Sequence, residues 1–421
     1  MGRTITEKIL DKEIGREVNI GEFVRVQSKY FIIEGLSDKK MEKFGIDEAF
    51  DPKRVKIVWG SHCGTAEDFE LRYETIKWVK KLGIPRENFI DIGSGGIAHQ
   101  VSIEHIWPLP GTVYMCGTDG HTPMNGALGC LSEPLSHGAD ENEAFLITGK
   151  TWLHVPPSMK FNLSGEMQDG VMSRDIFEWT LNKIGPSGAQ GAVMEWTGPL
   201  VEEMSMDGRI ALCCNSVFTG SFSSIINPDK ITIEYAKART NDDFETLVSD
   251  SDSSYQKMFN FDISSIGPQV VIPPKRYDVK PVEDVRGKEI DRGFIGSCAN
   301  GRLEDMRSAA KILKGSKVHP DVSLTIIPAS NEVLEKSLHE GLIEIFIKAG
   351  AIVPSPCCGM CIASMRGTTS PLAGDEVCIS TSTCNYPGRM GSFDAQIFLS
   401  NPATVAASCL EGKITDPRDY L

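Results

Sequence analysis

Three cysteines in two short loops are the residues of this chain best suited to chemistry. Cys358 and Cys361 form a C-x-x-C pair within Ser355-Pro356-Cys357-Cys358-Gly359-Met360-Cys361, and Cys298 stands apart in Gly296-Ser297-Cys298-Ala299-Asn300. A C-x-x-C pair alone suits half a zinc site, a redox dithiol or part of an iron–sulfur ligand set. Three thiolates without an obvious fourth protein ligand suit structural zinc poorly. A thioredoxin-like dithiol leaves Cys298 without a role. An iron–sulfur cluster on three cysteines uses all of them and leaves one iron open as a Lewis acid. Zinc and unliganded thiols stay open as alternatives.

The surrounding pattern brings these loops together. Gly293-Phe294-Ile295 reads as a strand leading into the Cys298 loop. A helix follows with Leu303, Met306, Ala310 and Leu313 on one face, then a strand at 323–327, a helix at 331–349, and a strand at 351–353 that leads into the C-x-x-C. Such a βαβαβ run predicts parallel strands. Both cysteine loops then follow the C-terminal ends of strands in one sheet, where open α/β sheets bind ligands.

Histidines repeat the arrangement in the first third. Apolar runs at 56–59, 88–92 and 112–116 end in glycine-containing turns that carry His62, His99 and His121. Thr65-Ala66-Glu67-Asp68 resembles a capping box. It opens a helix with Phe69, Tyr73, Ile76 and Val79 at helical spacing. Residues 123–150 read as helical and Ala211-Leu212-Cys213-Cys214 as strand-like. Residues 237–283 read as a surface excursion and linker. The expected division is three α/β domains, 1–125 with the histidines, 126–283 with Glu195, and 284–421 with the three cysteines.

The chain has 421 residues, 12 cysteines and a formal net charge of -14. That charge argues against nonspecific nucleic-acid or anionic-membrane binding. The N-terminal residues have no apolar signal-like core, and no apolar run is long enough to span a membrane. The expectation is therefore a cytoplasmic protein with reduced thiols, most of them, such as Cys130, Cys213, Cys214 and Cys409, acting as small core residues.

Taken jointly, the segments resemble the aconitase superfamily. Gly296-Ser297-Cys298-Ala299-Asn300 with Glu304-Asp305 is similar to its G-S-C-T-N…E-D, and Cys358 to Cys361 to its C-x-x-C. Gly117-Thr118-Asp119-Gly120-His121-Thr122-Pro123 is similar to G-T-D-S-H-T-P, and Gly96-Ile97-Ala98-His99-Gln100 to G-I-x-H-Q. Glu195-Trp196-Thr197-Gly198-Pro199 is similar to E-Y-x-G-P, and Asn385-Tyr386-Pro387-Gly388-Arg389 to the end of N-R-N-F-x-G-R. The segments keep the family's order, and the chain length suits the separate large subunit of its isopropylmalate dehydratase, homoaconitase and dimethylmalate dehydratase members.

The resemblance implies three-layer α/β/α domains packed around a cluster site, with the small swivelling domain absent from this chain. It implies a [4Fe-4S] cluster on Cys298, Cys358 and Cys361. It implies acid–histidine pairs, Asp119 with His99 and Glu195 with His121, with His62 as a third histidine. Arg389 would bind a substrate carboxylate, and Asn385 and Asn300 would join it. A small swivelling-domain subunit would supply the catalytic base, and the substrate would be a small hydroxy acid.

Departures from the pattern bear on the substrate. Ser61 precedes His62 where the family has Asp, Gly120 replaces a serine, Ala299 a threonine, and Thr383 and Cys384 replace an Asn-Arg pair. Loss of that arginine, and the lack of a polar substrate-contacting motif near Phe31 to Gly35, point away from a tricarboxylate. The expectation is a hydro-lyase for an alkyl-substituted malate, 2,3-dimethylmalate to dimethylmaleate before 3-isopropylmalate or a homoaconitase substrate. A non-catalytic binding protein on the same scaffold is the reading from another class.

Overall fold

The computed structural model describes residues 2–61, 64–135, 140–362 and 370–421. His62 lies outside the described residues. Three sheets form the frame. The first is all parallel, with Phe89–Ile90, Val55–Val58, Phe31–Ile33, Val113–Gly117 and Leu131–Pro134 in that spatial order. The second is also parallel, ordered Ser223–Ile226, Val193–Thr197, Ser158–Ser164 and Lys257–Asp262. The third runs Val279–Pro281, Gln269–Val271, Gln396–Leu399, Val377–Ser380, Arg292–Ile295 and Ser323–Ile326, and its last four strands are parallel. No described helix is long and apolar enough to cross a membrane.

Strand order in two of these sheets reverses at one strand. Phe31–Ile33 has Val55–Val58 on one side and Val113–Gly117 on the other. Arg292–Ile295 is likewise flanked by Ser323–Ile326 and Val377–Ser380. At such a strand the connecting helices leave to opposite faces, so a crevice opens beyond its C-terminal end. The two crevices face each other, and Gly96 stitches them together. Gly96 bridges Ser330, and the Ile97 amide donates to the Ala329 carbonyl at 2.8 Å. A Cβ at Gly96 would lie 2.5 Å from that carbonyl oxygen, and φ is +152°, so only glycine fits there without strain.

Several sequence expectations are corrected. The boundaries at 125 and 283 cut across pairing, because Leu131–Pro134 completes the first sheet and Gln269–Val271 and Val279–Pro281 belong to the third. Residues 237–283 are not a surface excursion, since Lys257–Asp262 is the edge strand of the second sheet. Ala211 to Cys214 end a helix, Met206–Cys214, whose first turn is capped by Ser205 accepting from the Gly208 amide at 3.0 Å. A short apolar run cannot distinguish a buried strand from a buried helix, and this helix is buried nearly all round. Residues 123–150 hold a 3₁₀ turn, a strand and the helix Glu141–Thr148 rather than one helix. The Thr65 capping box is present, but its helix Ala66–Lys81 buries Thr75, Trp78 and Val79 and leaves Phe69 and Tyr73 exposed.

Arg174 ties the second sheet's layer to the third. It lies on the helix Ser173–Ile184 and is buried. Its guanidinium donates to Asn300 Oδ1 at 3.0 Å and to the carbonyls of Thr381 and Ser382 at 2.6 and 2.7 Å. Glu178, also buried, lies 3.4 Å away and is shared with Arg276, which donates to both its oxygens. Removing the Arg174 guanidinium leaves Glu178 paired but strands three buried acceptors, those of Asn300, Thr381 and Ser382. Arg174→Met should therefore lower folding stability by about 3–5 kcal/mol, at about 1–2 kcal/mol for each stranded acceptor, read from the urea midpoint of the iron-free chain, and an unchanged midpoint would refute this role.

Candidate active site

A cavity of about 230 Å³ lies where the two crevices meet, lined by Glu34, Ser61, Ile97, His99, Asp119, His121, Ser297, Cys298, Cys358, Cys361, Ile362, Thr383 and Arg389. Most of these side chains lie in loops that follow a strand end, while His99 opens the helix Ala98–Glu104. Glu34 follows Phe31–Ile33, Ser61 follows Val55–Val58, and Asp119 and His121 follow Val113–Gly117. Cys298 follows Arg292–Ile295, and Thr383 and Arg389 follow Val377–Ser380. Cys358 and Cys361 follow Ile352, which bridges Thr325 in parallel. The structure thus brings Cys298, Cys358, Cys361, His99, Asp119, His121 and Arg389 to one space.

The Cys298 turn is held hard. Ser297 adopts φ +74°, a left-handed conformation that costs energy in a residue with a side chain. Its hydroxyl donates to the Thr381 carbonyl at 3.1 Å and accepts from the Ala299 amide at 3.2 Å. Arg302, fully buried, donates to the carbonyls of Ala299, at 2.8 Å, and Cys298. On the other cysteine loop, the Cys358 amide donates to the Ser61 carbonyl at 3.2 Å, and Ser61 Oγ accepts from the Ala98 amide at 3.0 Å. Ser61, noted as a departure, therefore links the first sheet to the C-x-x-C.

The three thiols are free cysteines. Burial pushes the Cys358 thiol well up. Burial also opposes ionisation of Cys361, but the Arg389 guanidinium, 3.7 Å from its sulfur, outweighs it and holds that thiol below its ordinary range. Thr383 Oγ1 lies 3.7 Å from Cys361 Sγ as well. Among the described residues no three His, Cys, Asp or Glu side chains gather closely enough for a single metal ion. A cluster, whose ligands each bind a different iron, needs thiols spaced around a cavity, which is how these three lie. Cys357 is buried away from the cavity lining, in keeping with a bystander.

The acid–histidine pairs differ from expectation. One carboxylate serves both rings. Asp119 Oδ1 lies 2.9 Å from His121 Nδ1 and 3.3 Å from His99 Nε2. Thr118 Oγ1 also meets His99 Nε2 at 2.9 Å. The expected pair of Glu195 with His121 does not form. Glu195 is buried outside the cavity lining and accepts from Asn227, Ser249 and Tyr255 at 2.8, 3.0 and 2.9 Å. Those three donors satisfy it, and His121 packs instead beside Phe218, with ring centroids 6.1 Å apart.

Asn300 and Asn385 are corrected too. Asn300 does not line the cavity. It accepts from Arg174 and donates to Asp305 at 2.9 Å, which occupies it in positioning the turn. Asn385 donates to the Ile272 carbonyl at 3.3 Å and is likewise outside the lining. Glu34 was missed, although the apolar run Phe31 to Ile33 ends on it and a strand end is where a polar ligand group belongs. Cys214 was taken as core. It is buried, but its Sγ lies 3.9 Å from Cys298 Sγ.

Electrostatics make His121 an acid. Burial works against its charge, but the Asp119 carboxylate overcomes it and pushes the imidazole up to about 10. His99 is raised for the same reason. Asp119 is held well below the ordinary carboxylate range, because both imidazolium charges outweigh desolvation. His121 Nε2 is buried and has no hydrogen-bond partner among the described residues.

Comparison with known proteins agrees with this picture. Residues 61–412 match the model of the aconitase family (aconitate hydratase). The chain belongs to the aconitase family. It is 36% identical over 430 residues to 3-isopropylmalate dehydratase large subunit 1 of Methanopyrus kandleri, covering 100% of both chains. It is 39% identical over 434 residues to the 3-isopropylmalate dehydratase large subunit of Aquifex aeolicus, covering 100% of this chain and 98% of that one. Aconitase X of Thermococcus kodakaraensis, in its holo-form, is similar at a TM-score of 0.46 and 14% identity over 85% of this chain and 84% of that one, a likeness too slight to argue from. The chain is a hydro-lyase of aconitase type, and the cofactor of the family is a [4Fe-4S] cluster, to which the three thiols are suited.

The raised imidazole has a testable sign. A histidine whose folded pKa exceeds its unfolded value binds more protons in the native state, so the stability it contributes is complete below its unfolded value and is lost as pH rises through the folded value. The unfolded value is about 6.5, and the folded one about 10. Thermal midpoints of the iron-free chain should fall across this window, and His121→Gln should flatten the slope. Equal slopes would show that His121 is not charged at neutral pH.

Proposed function

We propose that this chain is the large, cluster-bearing subunit of a two-subunit dehydratase acting on an alkyl-substituted malate, with 3-isopropylmalate as substrate. The observation that carries the chemistry is His121, cationic on Asp119 and with Nε2 unpartnered among the described residues, in the wall that also holds three free thiols and Arg389. The choice of substrate is supported by full-length likeness to 3-isopropylmalate dehydratase large subunits. That likeness favours 3-isopropylmalate over 2,3-dimethylmalate, the substrate first expected from the missing arginine. Ile97 and Ile362 add apolar wall for an alkyl group beside these charges. The word "large" in the relatives' names supports a separate small subunit, and a cytoplasmic setting is part of the same reading.

Cys298, Cys358 and Cys361 would hold the cluster. When bound, the cluster supplies a Lewis-acid iron that polarises the substrate hydroxyl. Arg389 receives a substrate carboxylate, a geometry its planar fork suits. His121, protonated at neutral pH, delivers its Nε2 proton to the departing hydroxyl, so that water leaves rather than hydroxide. Asp119 keeps that proton on the ring between turnovers and fixes the ring's tautomer. His99 is charged and oriented by the same carboxylate. The carbon-bound proton goes to a base supplied by the small subunit.

The test is anaerobic reconstitution with iron and sulfide beside the small subunit, followed by hydration and dehydration rates. Turnover of 3-isopropylmalate should exceed that of 2,3-dimethylmalate in kcat/KM, and the opposite order would reverse the choice of substrate. Asp119→Asn should retain its iron yet lose ~10²–10⁴ in kcat, the span for a positioned general acid. A fully loaded complex that turns over neither substrate would leave a binding protein on this scaffold.

A further inference from the structure

Cys214 takes no part in the chemistry proposed above, yet its sulfur is 3.9 Å from that of Cys298. The two thiols come from different layers. Cys214 ends the helix Met206–Cys214, and Cys298 sits in the turn after Arg292–Ile295. Both are buried, and they join one apolar cluster that includes Ile97, Met124 and Ala329. Cys298 also lines the cavity, so a small solute can reach one sulfur of the pair.

We infer that Cys214 and Cys298 form a disulfide when hydrogen peroxide reaches the iron-free chain, removing Cys298 from the ligand set. The inference rests on the reading of Cys298 as a cluster ligand. The chemistry balances with peroxide as the two-electron oxidant. The Cys298 thiol gives up its proton as its sulfur attacks one peroxide oxygen, the O–O bond breaks, a sulfenic acid forms, and the leaving hydroxide takes that proton as the first water. The Cys214 sulfur then attacks the Cys298 sulfur, an S–S bond forms, and hydroxide leaves as the second water with the Cys214 proton. The two thiols lose two electrons and two protons, and peroxide becomes two waters.

Geometry favours this partner. A disulfide needs sulfurs about 2.05 Å apart, so these two must close by about 2 Å. Side-chain rotation of Cys298 is the natural movement, because Arg302 and the Ser297 hydroxyl hold the turn's backbone in place. A structural consequence follows for the helix end. Cys214 would fasten the second layer to the cysteine turn of the third, adding a covalent link to the one that Arg174 makes through Asn300. Reduction by a dithiol would free Cys298 for reloading.

The experiment uses the full iron-free chain, treated with one equivalent of hydrogen peroxide, alkylated, digested without reductant and mapped by mass spectrometry. A cross-linked pair of peptides carrying Cys214 and Cys298, lighter by two hydrogens than their sum, is the expected result. It should vanish with dithiothreitol and be absent from Cys214→Ser. In parallel, peroxide-treated wild type should take up less than a tenth of its normal iron until reduced, whereas treated Cys214→Ser should carry Cys298 as a sulfenic acid, trapped by dimedone, with no cross-link. Linkage of Cys298 to Cys358 or Cys361, or oxidation of Cys298 to a sulfinate with Cys214 unmodified, would overturn the inference. The wild-type peptide map decides this even where the variant folds poorly. If the reduced, untreated chain takes up no iron, the cluster reading fails, and the map still reports on the disulfide.

Discussion

Two fully buried guanidinium groups hold the turn on which Cys298 sits. Arg302 reaches back along its own chain to the carbonyls of Cys298 and Ala299, and Arg174 reaches across from another layer to Asn300 and to the loop after Val377–Ser380. A loop at a strand end has carbonyls with no ladder partner, and burying them unpaired is costly. Each arginine satisfies several at once, and each carries a charge that must then be balanced, by Glu178 for Arg174. The strained Ser297 can persist only because this frame over-determines it. The position of one sulfur thus depends on contacts drawn from two sheets and the helix between them.

The first sheet answers with a different device. Its half-exposed carboxylate, Asp119, serves two imidazoles from separate segments. The Asp119 side chain keeps 45% of its surface exposed, and it lines the cavity. One carboxylate holds two rings raised, with Glu34 adding to the effect on His99. In a chain of formal net charge -14, the cavity wall thus gathers His99, His121 and Arg389 beside Asp119 and Glu34.

Much of this was legible because parallel sheets follow strict rules. Once Gly293 to Ile295 and Ala351 to Val353 were read as strands of one βαβαβ run, Cys298, Cys358 and Cys361 had to approach one another, and they do. The same rule located His99, Asp119 and His121. What the rule cannot supply is which acid meets which base. Glu195 lies in the middle of the strand Val193–Thr197 rather than beyond its end, and a carboxylate joins whichever donors packing brings, here Asn227, Ser249 and Tyr255. Asn300 and Cys214 illustrate the converse. A polar residue in a site motif became a structural linker, and a cysteine in an apolar helix came within reach of a ligand thiol, because both outcomes depend on contacts between layers distant in sequence. The helix Ala66–Lys81 was recognised by its cap, yet its buried side was misjudged, since Phe69 and Tyr73 outweigh Thr75 in apolar pattern but not in position.

These two devices are linked through charge. Arg389 and His121 are cations on the wall of one small cavity, and each is stabilised by an anion that the chain itself supplies, Cys361 for Arg389 and Asp119 for His121. Both anions come from strand-end loops of the chain itself, Cys361 from the loop after Ile352 and Asp119 from the turn after Val113–Gly117. Each cation is therefore set in place by the same kind of loop that brings its counter-charge, and neither would be raised without it.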